Sequence, residues 1–302
     1  MTFWGPWTHL YGYSVEPGVW IPALLSAWLY WRGQRQASWA LSPERRVAQR
    51  WRAVAFYGGL AVIVVALESP VDYLSDSLFF MHMVQHGLLQ MVAAPLVILG
   101  APWIPMWRGL PLSWRRAIAP RALPILASPA AQAVRHFLRQ PATCLGALAC
   151  SLWLWHIPIA YDATLSNIDL HDFEHLTLLV GGLLFWSQMT DSLPMRRRLG
   201  AAAGAAYMAG GAVVMLGMAA VLGLVASPLY APYADLVRRP LGLSAIADQR
   251  WGALVAVIMP AAMGVHLALS RWRKLESGPV PDTVAQAAVE TPAGGAGLTR
   301  RT

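Results

Sequence analysis

The sequence predicts an all-α polytopic membrane protein, a bundle of seven transmembrane helices with the N-terminus outside and the C-terminus inside. Three observations predict it. Hydrophobic residues fill 57% of the 302 positions and charged residues 13%, with mean hydropathy +0.45, whereas a soluble domain carries about a quarter charged residues. Apolar runs recur at about 17–31, 52–67, 80–103, 141–160, 171–190, 203–226 and 250–270, most of them near the roughly 20 residues a helix needs to cross lipid. The connections between those runs alternate in charge.

That alternation sets the orientation, because short cytoplasmic loops carry the excess of Lys and Arg. The 32–52 connection holds Arg32, Arg35, Arg45, Arg46, Arg50 and Arg52. The 104–140 connection holds Arg108, Arg115, Arg116, Arg121, Arg135 and Arg139, the next basic one is Arg196-Arg197-Arg198, and Arg271, Arg273 and Lys274 follow the last run. The N-terminal segment and the 68–79 and 161–170 loops have neither Lys nor Arg, and 227–249 has only Arg238 and Arg239.

Three regions follow. Residues 1–16 form an aromatic outer interfacial segment without the basic start of a cleavable signal. Residues 17–274 form the seven-helix transmembrane domain. Residues 275–302, rich in Gly, Ala, Pro and Thr, read as a disordered cytoplasmic tail. Within 104–140 an amphipathic helix near 130–140 is expected on the inner surface, carrying His136. The net charge of +8 is explained by topology and attraction to anionic lipid; with no glycine-rich phosphate loop and no aromatic-basic motif, no nucleic-acid partner is expected. Cys144 and Cys150 lie about 240° apart on one helix, so they share no face and read as small core residues.

The chemistry concentrates in histidine. Five of the eight histidines fall at helix ends that the topology places on the outer side. Run three begins Met81-His82-Met83-Val84-Gln85-His86, run four ends Trp153-Leu154-Trp155-His156-Ile157-Pro158, and run five begins His171-Asp172-Phe173-Glu174-His175. Two are His-x-x-x-His pairs, which on a helix put both imidazoles on one face and let them converge on one ion. His86 and His175 each lie about 6 Å deeper than their partner, and His156 lies about one turn below its own outer end. A single histidine near an interface is usually a hydrogen-bonded anchor; five ionisable side chains on one side of a membrane bundle are costly and point to a metal or cofactor.

Several residues are expected around this cluster, either supporting the ligands from behind or lining the way in: Met81, Met83, Glu174, Asp162 and Asp248. Glu174 can orient an imidazole through its second nitrogen. Asp172 reads as an acid facing a helix N-terminus. Asp248 either reaches across to the cluster or caps its helix. Methionine recurs at Met81, Met83, Met91, Met215 and Met218; thioether beside imidazole favours Cu(I), although methionine is also a common core filler. His266, near the inner end of run seven, reads as structural.

These stretches resemble the membrane-integral cytochrome c oxidase assembly factors of the CtaG family, distinct from the single-span copper chaperone of the same bacterial name. The resemblance rests on Met81-His82-Met83-Val84-Gln85-His86 running into Ala94-Pro95-Leu96-Val97-Ile98-Leu99-Gly100-Ala101-Pro102, on Leu154-Trp155-His156-Ile157-Pro158 with Tyr161, on His171-Asp172-Phe173-Glu174-His175 with Phe185-Trp186, on Ala247-Asp248-Gln249, and on Leu29-Tyr30 near Arg32-Gly33. It covers about residues 15–272. It implies a multi-pass protein of the bacterial plasma membrane that matures haem–copper oxidases through copper handling, with oxidase subunits and a periplasmic copper chaperone as partners.

The expectation is therefore an assembly factor and not an enzyme, with His82, His86, His156, His171 and His175 as metal ligands. Cu(I) would pass Met81, His82 and His171 to an inner set of His86, His156 and His175. Ligating imidazoles must be neutral, so binding is expected to weaken as pH falls through the histidine range. Rival readings are a seven-helix zinc hydrolase, a haem protein with axial histidines, and a structural chaperone whose histidines touch only the oxidase.

Overall fold

The computed structural model describes residues 15–37, 42–190, 199–236 and 240–265. The expectations for the outer segment up to residue 14, for Arg196-Arg197-Arg198, for Arg238 and Arg239, for His266 and for the tail lie outside the described residues. The chain divides into a unit through Met263 and a second from Gly264 onward. The architecture below is that of the first; of the second, only Gly264 and Val265 are described, both helical.

The helices are α1 Pro17–Ala37, α2 Pro43–Leu67, α3 Pro70–Ser75, α4 Phe79–Gly87, a π segment Leu88–Ala93, α5 Ala94–Leu99, α6 Trp103–Gly109, α7 Leu112–Ala127, α8 Pro129–Leu138, α9 Pro141–Trp153, α10 Pro158–Ser166, α11 Ile168–Ser187, α12 Ala201–Leu224, α13 Ala231–Ala234 and α14 Ala245–Ile258. Among the described residues there is no strand. Where described, each of the seven apolar runs is mostly helical. Among the described residues, three helices are long and apolar enough to cross a membrane, Arg45–Leu67, Phe79–Leu99 and Ala201–Leu224, with Pro141–Trp153 plus Pro158–Ser166 as a bent fourth.

Helix starts follow from local chemistry. Proline occupies an early position of α2, α3, α8, α9 and α10, where its missing N–H costs nothing. Side chains of Ser69, Ser128, Asn167 and Ser244 accept from Val71, Ala131, Leu170 and Ala247 N–H at 3.1, 3.2, 3.1 and 3.3 Å, each worth about 1 kcal/mol. The expected surface helix near 130–140 is α8, with His136 exposed. Cys144 is buried as expected of a core residue, Cys150 is exposed and is not one, and neither forms a disulfide among the described residues.

Two of the expected continuous runs are interrupted. Run four breaks at 154–157 and turns by 69° into α10. Pro158 is the cause: it disfavours helical geometry in the residue before it, and Ile157 is extended at φ −67°, ψ 125°. His156 therefore sits in a corner between two helices, not one turn down a straight span. Run three widens into the π segment, where Ala94 N–H donates to Leu89 O, five residues back. Pro95 has no N–H for Met91 O, and Gln90 O, left without its usual helical donor, accepts from Trp186 Nε1 at 2.9 Å.

Run three is central to the bundle. α4 packs on α3 and α14, while the π segment and α5 pack on α2 and α11; α11 also packs on α9, α12 on α9 and α14, and α1 on α6. Glycine permits two of these approaches. A Cβ on Gly33 would collide with Pro105 O across the α1–α6 seam, and one on Gly182 would lie 3.0 Å from the backbone of Gln90.

Candidate metal centre

α4 and α11 present their inner faces to each other. On α11, His171, Glu174 and His175 point inward at i, i+3 and i+4, whereas Asp172 and Phe173 are exposed. On α4, His82 and His86 do the same and are fully buried. Ring centroids are 4.3 Å apart for His82–His86 and for His171–His175, 5.2 Å for His82–His171, 5.8 Å for His82–His175 and 5.7 Å for His86–His175. His156 joins from the α9–α10 corner, 5.5 Å from His86. All five sequence-predicted histidines are thus brought together.

Their groupings differ from the sequence expectation. Ligand atoms converge within 4.8 Å in two sets, His82, His171 and His175, and His82, His86 and Glu174. The expected inner trio of His86, His156 and His175 is not one of them. Glu174, expected beside the ligands, stands among them: its Oε1 is 3.4 Å from His86 Nε2 and its Oε2 is 3.7 Å from His82 Nε2. Two ligands bound at about 2.0–2.1 Å to one tetrahedral ion lie about 3.4 Å apart. The spacing is therefore that of two corners of a coordination shell, longer than a charge-assisted hydrogen bond of about 2.7–2.9 Å.

The surrounding hydrogen bonds decide which nitrogens are free. Tyr233 OH donates to Ser75 O at 2.6 Å, so at 3.3 Å its oxygen accepts from His82 Nδ1–H and leaves the His82 Nε2 lone pair facing inward. His156 Nδ1–H donates to Leu152 O at 2.7 Å, meeting a carbonyl at the end of α9. Tyr230 OH holds His156 O at 3.1 Å. His156 Nε2 then faces Met83 Sδ at 3.1 Å. The Thr164 hydroxyl lies near Glu174, but its proton is committed to Tyr161 O at 2.7 Å.

Of the buried side-chain atoms without a hydrogen-bond partner among the described residues, seven belong to this cluster: His82 Nε2, both nitrogens of His86, His171 Nε2, His175 Nε2 and both oxygens of Glu174. At about 1–3 kcal/mol each the deficit is on the order of 10 kcal/mol, comparable to the whole net stability of a domain. Such a cluster fits a cation. The donor set is imidazole with one carboxylate, and a thioether stands at its deep end.

The remaining expected positions are placed as follows. Met83 is wholly buried against His156, inside the cluster and not at its rim; Met81 is half-buried. Asp162 accepts from Ala231 N–H and ties α10 to α13. Asp248 caps, but on another helix: its carboxylate accepts from Phe79 N–H at 2.8 Å and Phe80 N–H at 3.0 Å, at the start of α4. The sequence reading missed Tyr233 and Tyr230. Their signal was a pair of tyrosines around Ala231-Pro232 in the loop facing the histidine ends. Tyr161, Tyr230 and Phe79 stack as an aromatic wall beside the cluster, with centroids 4.0 and 5.0 Å apart.

Fold and site together define a helical membrane protein with a buried cluster of imidazoles and one carboxylate between its central helices. The chain belongs to the cytochrome c oxidase caa3 assembly factor family, Caa3_CtaG, which it matches over residues 28–275. The sequence resemblance is thereby borne out. Comparisons with curated proteins and with solved structures give no significant match.

Proposed function

We propose that this protein is a seven-helix assembly factor of the bacterial plasma membrane, N-terminus outside, that binds Cu(I) in the histidine cluster and delivers it to a haem–copper oxidase. The observation that carries the reading is the set of seven partnerless ligand atoms gathered from α4 and α11. Copper is favoured over harder ions by the thioether–imidazole pair of Met83 and His156. The outer placement is supported by the basic loops, which leave the histidine ends on the side poor in arginine. His82, His86, His156, His171 and His175 are the proposed ligands, now with Glu174.

A second reading has one observation in its favour. His82, His86 and Glu174 make a His2Glu set, which zinc hydrolases also use. Chelator-sensitive hydrolysis of an amide or ester lipid by the purified protein would support it.

Elemental analysis of protein purified under reducing conditions tests the main reading. Wild type should carry copper, and His86→Ala, His156→Ala, His175→Ala and Met83→Leu should each carry less. Cells bearing the histidine variants should yield oxidase depleted in copper. Equal metal in wild type and all variants would end the ligand assignment.

A further inference from the structure

The two convergent sets share His82, and His82 has one nitrogen to give. Its Nδ1–H is engaged by Tyr233, so only Nε2 offers a lone pair, and a neutral imidazole nitrogen binds a single ion. The sets also differ in access and charge. His171, at 9% exposure, is the least buried of the five histidines, whereas His82, His86 and Glu174 are at 0%. The first set is three neutral imidazoles; the second includes a carboxylate that offsets cation charge where water is excluded.

We propose that the cluster holds one cation that moves between two stations, pivoting on His82. This rests on the metal-binding reading above. The outer station is His82, His171 and His175; the inner is His82, His86 and Glu174. In the move the bond to His82 Nε2 is kept. Bonds to His171 and His175 break as bonds to His86 Nε2 and one Glu174 oxygen form. No electron and no proton is transferred. The outer station takes and releases the ion, and the inner station retains it, next to His156 and Met83. Because both stations keep a bond of about 2 Å to His82 Nε2, the ion shifts by no more than about 4 Å, and the ligand atoms of each station already lie within 4.8 Å of one another, within reach of side-chain rotation.

The experiment uses the full chain in detergent micelles, loaded with Cu(I) from a chelator-buffered reduced solution. It reads copper per chain, loading rate, and release rate into excess Cu(I) chelator; thermal melting of each variant confirms folding. Wild type should bind one Cu(I). At saturating Cu(I), Glu174→Gln and His86→Ala should still reach one copper per chain through the outer station but release it about tenfold faster or more, so that less copper survives purification. His171→Ala should load about tenfold more slowly with release from the inner station slowed alike. His82→Ala, folded as judged by melting, should bind none. Two Cu(I) per wild-type chain, or Glu174→Gln and His171→Ala with the same kinetics as each other, would overturn the shared-pivot proposal while leaving metal binding intact. No copper on wild type would overturn the functional reading itself, and the pivot with it.

Discussion

Removing the Asp248 carboxylate should loosen the histidine cluster without touching a ligand. Asp248 receives the first two amides of α4, Phe79 N–H at 2.8 Å and Phe80 N–H at 3.0 Å, from a helix 169 and 168 positions away in sequence. Hydrogen bonds to a charged group contribute about 1.5–3 kcal/mol each, and a helix N-terminus favours the negative charge. Asp248→Ala leaves one buried and one part-buried amide without that acceptor, for an expected loss of about 3–5 kcal/mol. Asp248→Asn keeps one acceptor oxygen and should lose about half as much. In a chain of this size the Ala variant should melt on the order of 10 °C lower. His82 follows Phe79 by three residues, so the same substitution should weaken Cu(I) retention. Melting by tryptophan fluorescence in micelles and copper per chain measure the two effects. An Asp248→Ala protein that melts and binds copper as wild type does would refute the claim that this cap positions α4.

Helix packing gives a paired prediction: Gly182→Ala should lower both melting temperature and copper retention, by about 1–3 kcal/mol in stability, because its Cβ meets the Gln90 backbone beside the cluster. Gly33→Ala, which clashes with Pro105 O in the α1–α6 seam, should lower melting while leaving copper per folded chain unchanged; loss of copper there would contradict the independence of that seam. Asp72, in the α3 connection, accepts from Gln85 Nε2 at 2.7 Å, and burial pushes its carboxyl up to about 7. The folded state therefore holds a proton that the unfolded chain has released, and stability falls as pH rises from about 4 to about 7. Asp72→Asn should remove that slope, so its melting advantage over wild type appears at pH 8 and disappears near pH 4; parallel pH profiles for the two proteins would count against it.

The helices were legible because their signal is local. Seven apolar runs, prolines at early helix positions and serine or asparagine caps all act within a few residues. The i, i+4 pairing of His82 with His86 and of His171 with His175 was legible for the same reason. What could not be read was pairing between helices. Glu174 is adjacent to His175 in sequence, yet whether its carboxylate serves His175 or reaches His86 depends on the distance between α4 and α11. Asp248 was read as either reaching across to the cluster or capping its own helix, whereas the helix it caps lies far along the chain. Pro158 was visible in the sequence, and its effect on Ile157 foretold a corner; treating 141–160 as one rod misplaced His156. Tyr233 came from a loop with no periodic pattern, so nothing local marked its hydroxyl as the group that selects the His82 tautomer.

The irregular backbone lies where the cluster needs it. A straight α-helix satisfies its own carbonyls and offers side chains on fixed 100° steps, so two uniform helices could not both face α11 and keep their polar groups paired. The break after α9 frees Leu152 O, and the His156 ring itself meets it, which turns Nε2 toward Met83. The π segment frees Gln90 O, and Trp186 of α11 meets it, which ties α11 to run three about three turns below His175 and Glu174. Each backbone departure is thus paid for by a side chain that also fixes a neighbour of the cluster. Substituting Trp186 by Phe would remove the N–H donor together with part of the buried ring; the argument requires that it loosen α11 from the π segment and lower both melting temperature and copper retention, and that the same change at an exposed tryptophan such as Trp251 do neither.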